Sequence, residues 1–216
     1  MEGLPGLRRR HFIAGLYIPW AAGPSRAQGR GPHRILVVGD SLSAEYGLRR
    51  GSGWVALLAQ RLAAQKIPAE VRNASISGDT TSGGRARLAA LLADFQPTLV
   101  VLELGGNDAL RGLPLKNTAD NLAAMTQAAQ QAGARVLIVG MQMPPNYGAA
   151  YGRQFADLFA EVARTHKAGL VPFLLEGVAD GPDAAALFQA DRIHPREEAQ
   201  AAMLDNVWPE LRKLLR

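Results

Sequence analysis

The 216-residue chain contains no cysteine, and aromatic residues make up only 6% of it. Without cysteine there is no disulfide framework, no thiol nucleophile and no metal site with cysteine ligands. The sequence also has no His-x-x-x-His pair and no carboxylate-rich loop of the kind that binds zinc or calcium. A phosphate-binding glycine loop is missing as well. We therefore expect neither a metal ion nor a cofactor.

Charge is nearly balanced once the N-terminal segment is set aside. The chain carries 24 Lys and Arg residues against 19 Asp and Glu, but residues 1–27 hold four of the arginines and one glutamate. The remainder has 20 basic and 18 acidic residues, without a basic cluster interleaved with aromatics, so we expect no nucleic-acid partner. No later segment approaches the ~20 apolar residues of a membrane span. Stable membrane insertion is therefore not expected once the N-terminal segment is removed.

Residues 1–27 have the features of an export signal peptide. Three arginines at 8–10 precede a short apolar stretch at 12–22, and a small-x-small pattern ends at Ala27. The run at 9–13 also resembles a twin-arginine signal, although Pro19 and the short apolar core leave the export route open. The alternative is a disordered, mildly basic tail. The signal predicts a periplasmic or secreted protein whose mature part is residues 28–216.

Apolar runs alternate with helical stretches along the rest of the chain. Strands are predicted at 34–39, 69–73, 98–104, 135–141 and 169–173, and helices at 53–66, 81–95, 117–132, 150–166 and 196–215. The strands are almost continuously apolar, as expected of parallel strands buried on both faces. This alternation predicts a single α/β domain with three α/β/α layers around a doubly wound, five-stranded parallel sheet.

Ser41 lies just after the first predicted strand. The apolar run at 35–38 is stopped by Gly39 and Asp40, so the serine hydroxyl is expected at the carboxyl edge of the sheet. Ligands of open α/β sheets bind at that edge. Ser41 is therefore a candidate nucleophile, although a serine in this place can equally be the N-cap of a helix.

Of the four histidines, His194 is the candidate base for such a nucleophile. It lies three residues after Asp191 and directly before Pro195. An aspartate in that place can orient an imidazole and stabilise its protonated form. The alternative is a helix N-terminus, with His194 as N-cap and Pro195 as the first helical residue.

Two further strand ends carry candidate oxyanion donors. Gly78 follows the second predicted strand and Asn107 follows the third. The Asn107 amide and the backbone N–H groups of Gly78 and Ser41 can together stabilise the oxyanion that develops during acyl transfer. Either glycine-rich segment taken alone is more typical of a turn.

Together these segments resemble the SGNH (GDSL-type) hydrolase superfamily, and within it the bacterial thioesterase I, lysophospholipase and arylesterase group. The resemblance runs from about residue 34 to the C-terminus. The matching motifs are GDSLS at 39–43, NASISGDT at 73–80, LGGNDALRG at 104–112, PPNYG at 144–148 and DRIHP at 191–195. The resemblance implies a flavodoxin-like strand order of 2-1-3-4-5. It also implies that Ser41 is the nucleophile, His194 the base and Asp191 its orienting partner, with an oxyanion hole of Ser41, Gly78 and Asn107.

The implied activity is hydrolysis of carboxylic esters or thioesters through an acyl-enzyme, on small acyl substrates such as aryl esters, acyl-CoA and lysophospholipids. The expected substrate-binding residues are Leu110, Met143, Pro145, Asn146, Tyr147 and Phe188, with Leu113, Met141 and Leu187 as further apolar candidates. Residues 181–189 match no motif of the family. The alternative function is a non-catalytic acyl- or lipid-binding module on the same scaffold, which would not need both His194 and Asp191.

Overall fold

The computed structural model describes residues 1–2, 31–182 and 184–216. Residues 31–216 form one compact unit. The predicted export signal therefore lies, apart from residues 1–2, outside the described residues. Across the described ranges, we find no helix with the length and apolar character needed to cross a membrane.

The core of the unit is a five-stranded parallel sheet. Its strands are β1 (His33–Gly39), β2 (Ala69–Asn73), β3 (Leu99–Glu103), β4 (Arg135–Val139) and β5 (Gly169–Val171). The strands are ordered β2-β1-β3-β4-β5, and each neighbouring pair is parallel. The predicted fold class and the strand order implied by the resemblance are both confirmed.

Helices cover both faces of this sheet. They are α1 (Trp54–Ala64), α2 (Thr81–Phe95), α3 (Gly106–Leu110), α4 (Leu115–Gln131), α5 (Ala149–Thr165), α6 (Ala184–Leu187) and α7 (Gln200–Leu214). On one face, Ile35 and Val37 of β1 pack with buried side chains of α1 and α7. On the other face, Leu36 and Val38 pack with α2, α4 and α5. Because alternate residues of a strand point to opposite faces, a strand between two helical layers must be apolar throughout.

The structure shows that neither Ser41 nor His194 caps a helix. Ser41 caps no helix, because residues 41–47 form turns and α1 begins only at Trp54. The side chain of Asp40 accepts the Leu42 N–H at 3.0 Å and shapes this turn instead. His194 is not an N-cap either, since the next helical turn spans Glu197–Ala199 and has Arg196 at its N-cap. Both side chains are therefore left available for chemistry.

Two short helices were not predicted from the sequence. The Gly-Gly-Asn-Asp segment after β3 enters α3, and Gly105 adopts a φ of 122° at its N-cap. Only glycine reaches such a φ without strain, which explains the residue at this turn into a helix. Within the unmatched stretch 181–189, residues 184–187 form α6. Four or five residues are too few for helical periodicity to be read from a sequence.

Candidate active site

The carboxyl ends of the five parallel strands lie at one edge of the sheet, and the loops beyond them carry the predicted site residues. Ser41 follows β1 and Gly78 follows β2. Asn107 lies in α3 directly after β3, while Asp191 and His194 lie in the long connection from β5 to α7. The parallel topology therefore brings together residues that are up to 153 positions apart in the chain.

Ser41, His194 and Asp191 form a continuous hydrogen-bonded relay. The Nε2 atom of His194 lies 2.9 Å from the Oγ atom of Ser41, and its Nδ1 atom lies 2.7 Å from the Oδ2 atom of Asp191. An ionised carboxylate can only accept a hydrogen bond, so the proton of a neutral imidazole is placed on Nδ1. Nε2 is then free to accept the proton of the Ser41 hydroxyl.

Asp191 is held ionised by its own loop. Its Oδ1 atom accepts the backbone N–H groups of Ile193 and His194 at 2.9 and 3.1 Å. The side-chain hydrogen bond with His194, followed by these two backbone bonds, lowers the pKa of Asp191 to about 2. The carboxylate therefore keeps its negative charge next to the imidazole across the pH range in which esterases are assayed.

Three N–H groups on the loops at this edge of the sheet are available as donors. Asn107 donates one amide hydrogen to the Oδ2 atom of Asp40 at 2.9 Å, which leaves its second amide hydrogen for another acceptor. Within the described part of the chain, the backbone N–H groups of Ser41 and Gly78 donate to no other residue. Gly78 has a φ of +78°, and its carbonyl oxygen accepts a hydrogen bond from Nη2 of Arg111 at 2.8 Å. These three donors can stabilise negative charge on an oxygen atom bound here.

Two buried carboxyl groups belong to or contact the turn that carries Ser41, and they were not identified as site residues from the sequence. Asp40 is only 3% exposed, and burial raises its pKa to about 6 against the opposing hydrogen bonds from Leu42 and Asn107. Glu103 is fully buried. It accepts hydrogen bonds from the Ser43 hydroxyl at 2.6 Å and from the Asp40 N–H at 3.4 Å.

Burial, followed by the charge of Asp40, raises the pKa of Glu103 well above its usual range. The Ser43 hydroxyl also accepts the indole N–H of Trp54 at 3.2 Å, so Glu103 is tied to the turn that carries Ser41 and to the start of α1. A glutamate that ends an apolar strand is the sequence signal that could have drawn attention to it.

The described ranges contain no group of three or more His, Asp or Glu side chains placed to hold a metal ion.

We expect the buried charge of Asp40 to make the protein less stable as pH rises from about 4 to about 6. The folded state holds this proton up to a pKa of about 6, whereas an unfolded aspartate releases it near 3.9. The difference corresponds to roughly 3 kcal/mol of unfolding free energy that is lost across this pH range. Asp40→Asn should reduce this dependence to the part that arises from Glu103, which urea denaturation at pH 4, 5, 6 and 7 would measure.

The matched control is Asp120→Asn, which removes an exposed carboxylate on α4 that pairs with Lys116. The control is expected to keep the pH dependence of the wild type. If Asp40→Asn and the wild type lost the same unfolding free energy between pH 4 and 7, Asp40 would not be the group responsible.

An apolar cavity of about 560 Å³ opens beside the relay. Its walls come from the loops after β3, β4 and β5 and from α6, and they comprise Gly106, Leu110, Met141, Gln142, Met143, Pro144, Pro145, Phe173, Leu175, Ala179, Asp180, Ala184, Ala185, Phe188, Arg192 and Ile193. Of the expected substrate-binding residues, Leu110, Met143, Pro145 and Phe188 lie in these walls. Asn146 and Tyr147 do not, and among the further candidates only Met141 does. Of the stretch 181–189, Phe188 was expected at the site and lies in these walls, whereas Ala184 and Ala185 of α6 were not identified from the sequence.

Comparison with known proteins extends over most of the chain. The model of the GDSL-like lipase/acylhydrolase family matches residues 37–202. The esterase TesA of Pseudomonas aeruginosa is 53% identical over 181 residues, which cover 84% of this chain and 89% of that protein. Thioesterase 1/protease 1/lysophospholipase L1 of Escherichia coli K12 is 38% identical over 181 residues and 84% of each chain.

Solved structures agree with the sequence comparison. A crystal structure of TesA superimposes with a TM-score of 0.81 at 52% identity, over 84% of this chain and 99% of the other.

Proposed function

The chain belongs to the GDSL-like lipase/acylhydrolase family, and we propose that it hydrolyses ester bonds through an acyl-enzyme formed on Ser41. It is a serine hydrolase of the esterase and thioesterase type. Membership of this family argues against the alternative of a non-catalytic binding module. The observation that carries the proposed mechanism is the unbroken relay from Ser41 through His194 to Asp191.

In the first step, the Ser41 oxygen attacks the carbonyl carbon while Nε2 of His194 takes the hydroxyl proton. The imidazole becomes positively charged, and the ionised Asp191 beside Nδ1 stabilises that charge. The protonated imidazole then gives its proton to the departing alcohol or thiol. A water molecule activated by the same histidine hydrolyses the acyl-enzyme and frees Ser41.

The oxyanion of each tetrahedral intermediate is assigned to the N–H groups of Ser41, Gly78 and Asn107. The amide of Asn107 is in place before the reaction because Asp40 accepts its other hydrogen, and the bond from Arg111 to the Gly78 carbonyl oxygen holds the backbone next to the Gly78 N–H. Donors held in this way do not have to reorganise as the charge develops, and each can be worth about 3 kcal/mol.

The acyl chain of the substrate is assigned to the apolar cavity. Most of its walls are leucine, isoleucine, methionine, proline, phenylalanine and alanine side chains, with Gln142, Asp180 and Arg192 as the polar residues, and a mostly apolar lining suits an alkyl chain. The related proteins named esterase and thioesterase 1/lysophospholipase L1 support small acyl esters, acyl-CoA thioesters and lysophospholipids as the substrate class.

We expect kcat/KM to rise by about fourfold for each methylene that an ester adds, as long as the chain still fits the cavity. Each methylene transferred from water contributes about 0.8 kcal/mol. p-Nitrophenyl esters of graded chain length measure this dependence. Ala185→Phe should fill part of the cavity and lower kcat/KM for long esters by about tenfold, with little effect on the acetate ester.

The matched control for this experiment is Ala186→Phe. Ala186 is the neighbouring residue of α6 and is exposed, but it does not line the cavity. Its substitution should leave the chain-length profile unchanged. If kcat/KM of the wild type did not depend on chain length, or if Ala185→Phe did not alter that dependence, the cavity would not be the acyl-binding site.

Residues 1–27 are proposed to direct export, which places the mature domain of residues 28–216 in the periplasm or outside the cell. The arginines at 8–10, the apolar stretch at 12–22 and the small residues around Ala27 support this. Sequencing the N-terminus of the protein recovered from the host tests it, since an intact N-terminus would contradict removal of a signal peptide.

A further inference from the structure

We propose that Gln189 is a positioning residue that joins the loop carrying Ser41 to the loop carrying His194. We call residues 40–53 the nucleophile loop and residues 189–196 the base loop. The inference rests on the proposed roles of Ser41 and His194. It gives a role to Gln189, the last residue of the stretch 181–189, which matches no motif of the family.

Gln189 is hydrogen-bonded to both loops at once. Its side-chain Nε2 donates to the carbonyl oxygen of Tyr46 in the nucleophile loop at 2.9 Å, and to that of Pro195 in the base loop at 3.2 Å. Its backbone N–H donates to the carbonyl oxygen of His194 at 2.8 Å. A single residue therefore ties the backbone that flanks His194 to the backbone five residues after Ser41.

The nucleophile loop is shaped to receive this side chain. Gly47 has a φ of +69°, and a Cβ atom at that position would lie 2.1 Å from the Oε1 atom of Gln189. Any other residue at position 47 would be strained and would push the amide of Gln189 away. The close approach indicates that the contact between Gln189 and the nucleophile loop is specific.

Tyr46 connects Gln189 to Ser41 and His194. Its backbone N–H donates to the carbonyl oxygen of Ser41 at 3.4 Å, and its ring packs against the imidazole of His194 with 4.3 Å between ring centroids. The Tyr46 side chain is about half exposed, so burial in the core does not explain its position. The bond from Gln189 to the Tyr46 carbonyl holds this ring where it is.

A ring in this position favours the charged state of the base. Aromatic faces attract cations within about 6 Å of the ring centroid, and in the proposed mechanism His194 becomes a cation only when it has taken the Ser41 proton. Tyr46 therefore stabilises the transition state more than the ground state. Such an interaction is expected to change kcat rather than KM.

The loss of either group is expected to lower kcat. Gln189→Met keeps the length of the side chain but removes the donor, and we expect kcat to fall by about 10- to 100-fold because the base is no longer held in place. Tyr46→Ala should lower kcat by about 3- to 30-fold. Tyr46→Phe keeps the ring and should recover most of that loss. KM should change by no more than about twofold in all three.

The matched control is Gln130→Met. Gln130 makes the same kind of bond, from Nε2 to the His166 carbonyl oxygen at 2.7 Å, on the surface. Steady-state kinetics with a p-nitrophenyl ester and melting temperatures should be measured for all four variants. Unchanged kcat in Gln189→Met, or a loss confined to KM, would overturn the inference.

The tyrosine pair tests the proposal even if Gln189→Met fails to fold. Equal kcat in Tyr46→Phe and Tyr46→Ala would show that the ring does not act on the base and would also overturn it. Ser41→Ala distinguishes a failure of the positioning role of Gln189 from a failure of the proposed mechanism. If Ser41→Ala is inactive while Gln189→Met is fully active, only the positioning role fails. If Ser41→Ala retains activity, the proposed mechanism fails first.

Discussion

Ser41→Ala is expected to lower kcat for ester hydrolysis by about 10⁶-fold. The methyl group of alanine cannot attack a carbonyl, and the Nε2 atom of His194 loses the hydroxyl that lies 2.9 Å away. The substitution removes one oxygen atom from a half-buried side chain in a turn. The fold and its stability should therefore remain close to those of the wild type.

A fluorophosphonate probe tests the same residue by a covalent readout. The probe reacts with an activated serine, so the intact mass of the wild type should increase by one adduct and that of Ser41→Ala should not change. Ser82→Ala, an exposed serine in the first turn of α2, is the matched control and should label like the wild type. Labelling of Ser41→Ala, or residual kcat within about 100-fold of the wild type, would contradict the assignment of the nucleophile.

Asp191→Asn is expected to lower kcat by about 10⁴-fold. The asparagine oxygen can still accept the backbone N–H groups of Ile193 and His194, so the loop should keep its shape. The new amide group, however, would donate a hydrogen bond to Nδ1 of His194. That bond favours the tautomer with the proton on Nε2, which can no longer accept the proton of Ser41.

The effect should appear at every pH at which the wild type is active. The hydrogen bond from His194 lowers the pKa of Asp191 to about 2, so the wild-type residue does not become neutral in the assay range. Asp205→Asn removes an exposed carboxylate that pairs with Arg61 and controls for the change in net charge. A fall in kcat of less than about tenfold for Asp191→Asn would mean that the carboxylate does not set the tautomer of His194.

Much of the fold could be predicted from the sequence because the strands are buried on both faces. The continuous apolar run at 35–38 has no polar side, as a strand between two helical layers requires. The ends of the helices and strands were predicted less accurately than their presence. The helix predicted at 196–215 is observed as α7, Gln200–Leu214, and only its start differs, because a 3₁₀ turn, Glu197–Ala199, precedes it.

The candidate relay was also accessible from the sequence, since strand ends in a parallel sheet meet at one edge. This reasoning paired Ser41 with His194 without any coordinates. It did not reveal Asp40, Glu103 or Gln189. The pKa shift of Asp40 arises from burial, and the bonds of Gln189 cross 143 residues to reach Tyr46. Neither property leaves a local pattern in the chain.

The amino-acid sequence alone was enough to establish the fold class, the family and the candidate nucleophile and base, because each follows from local residue patterns and their order. The folded chain was needed to show the Ser41–His194 distance, the walls of the cavity and the bridge through Gln189. These features depend on which loops meet at the edge of the sheet and on how far water is excluded from them, and both are properties of packing between distant parts of the chain.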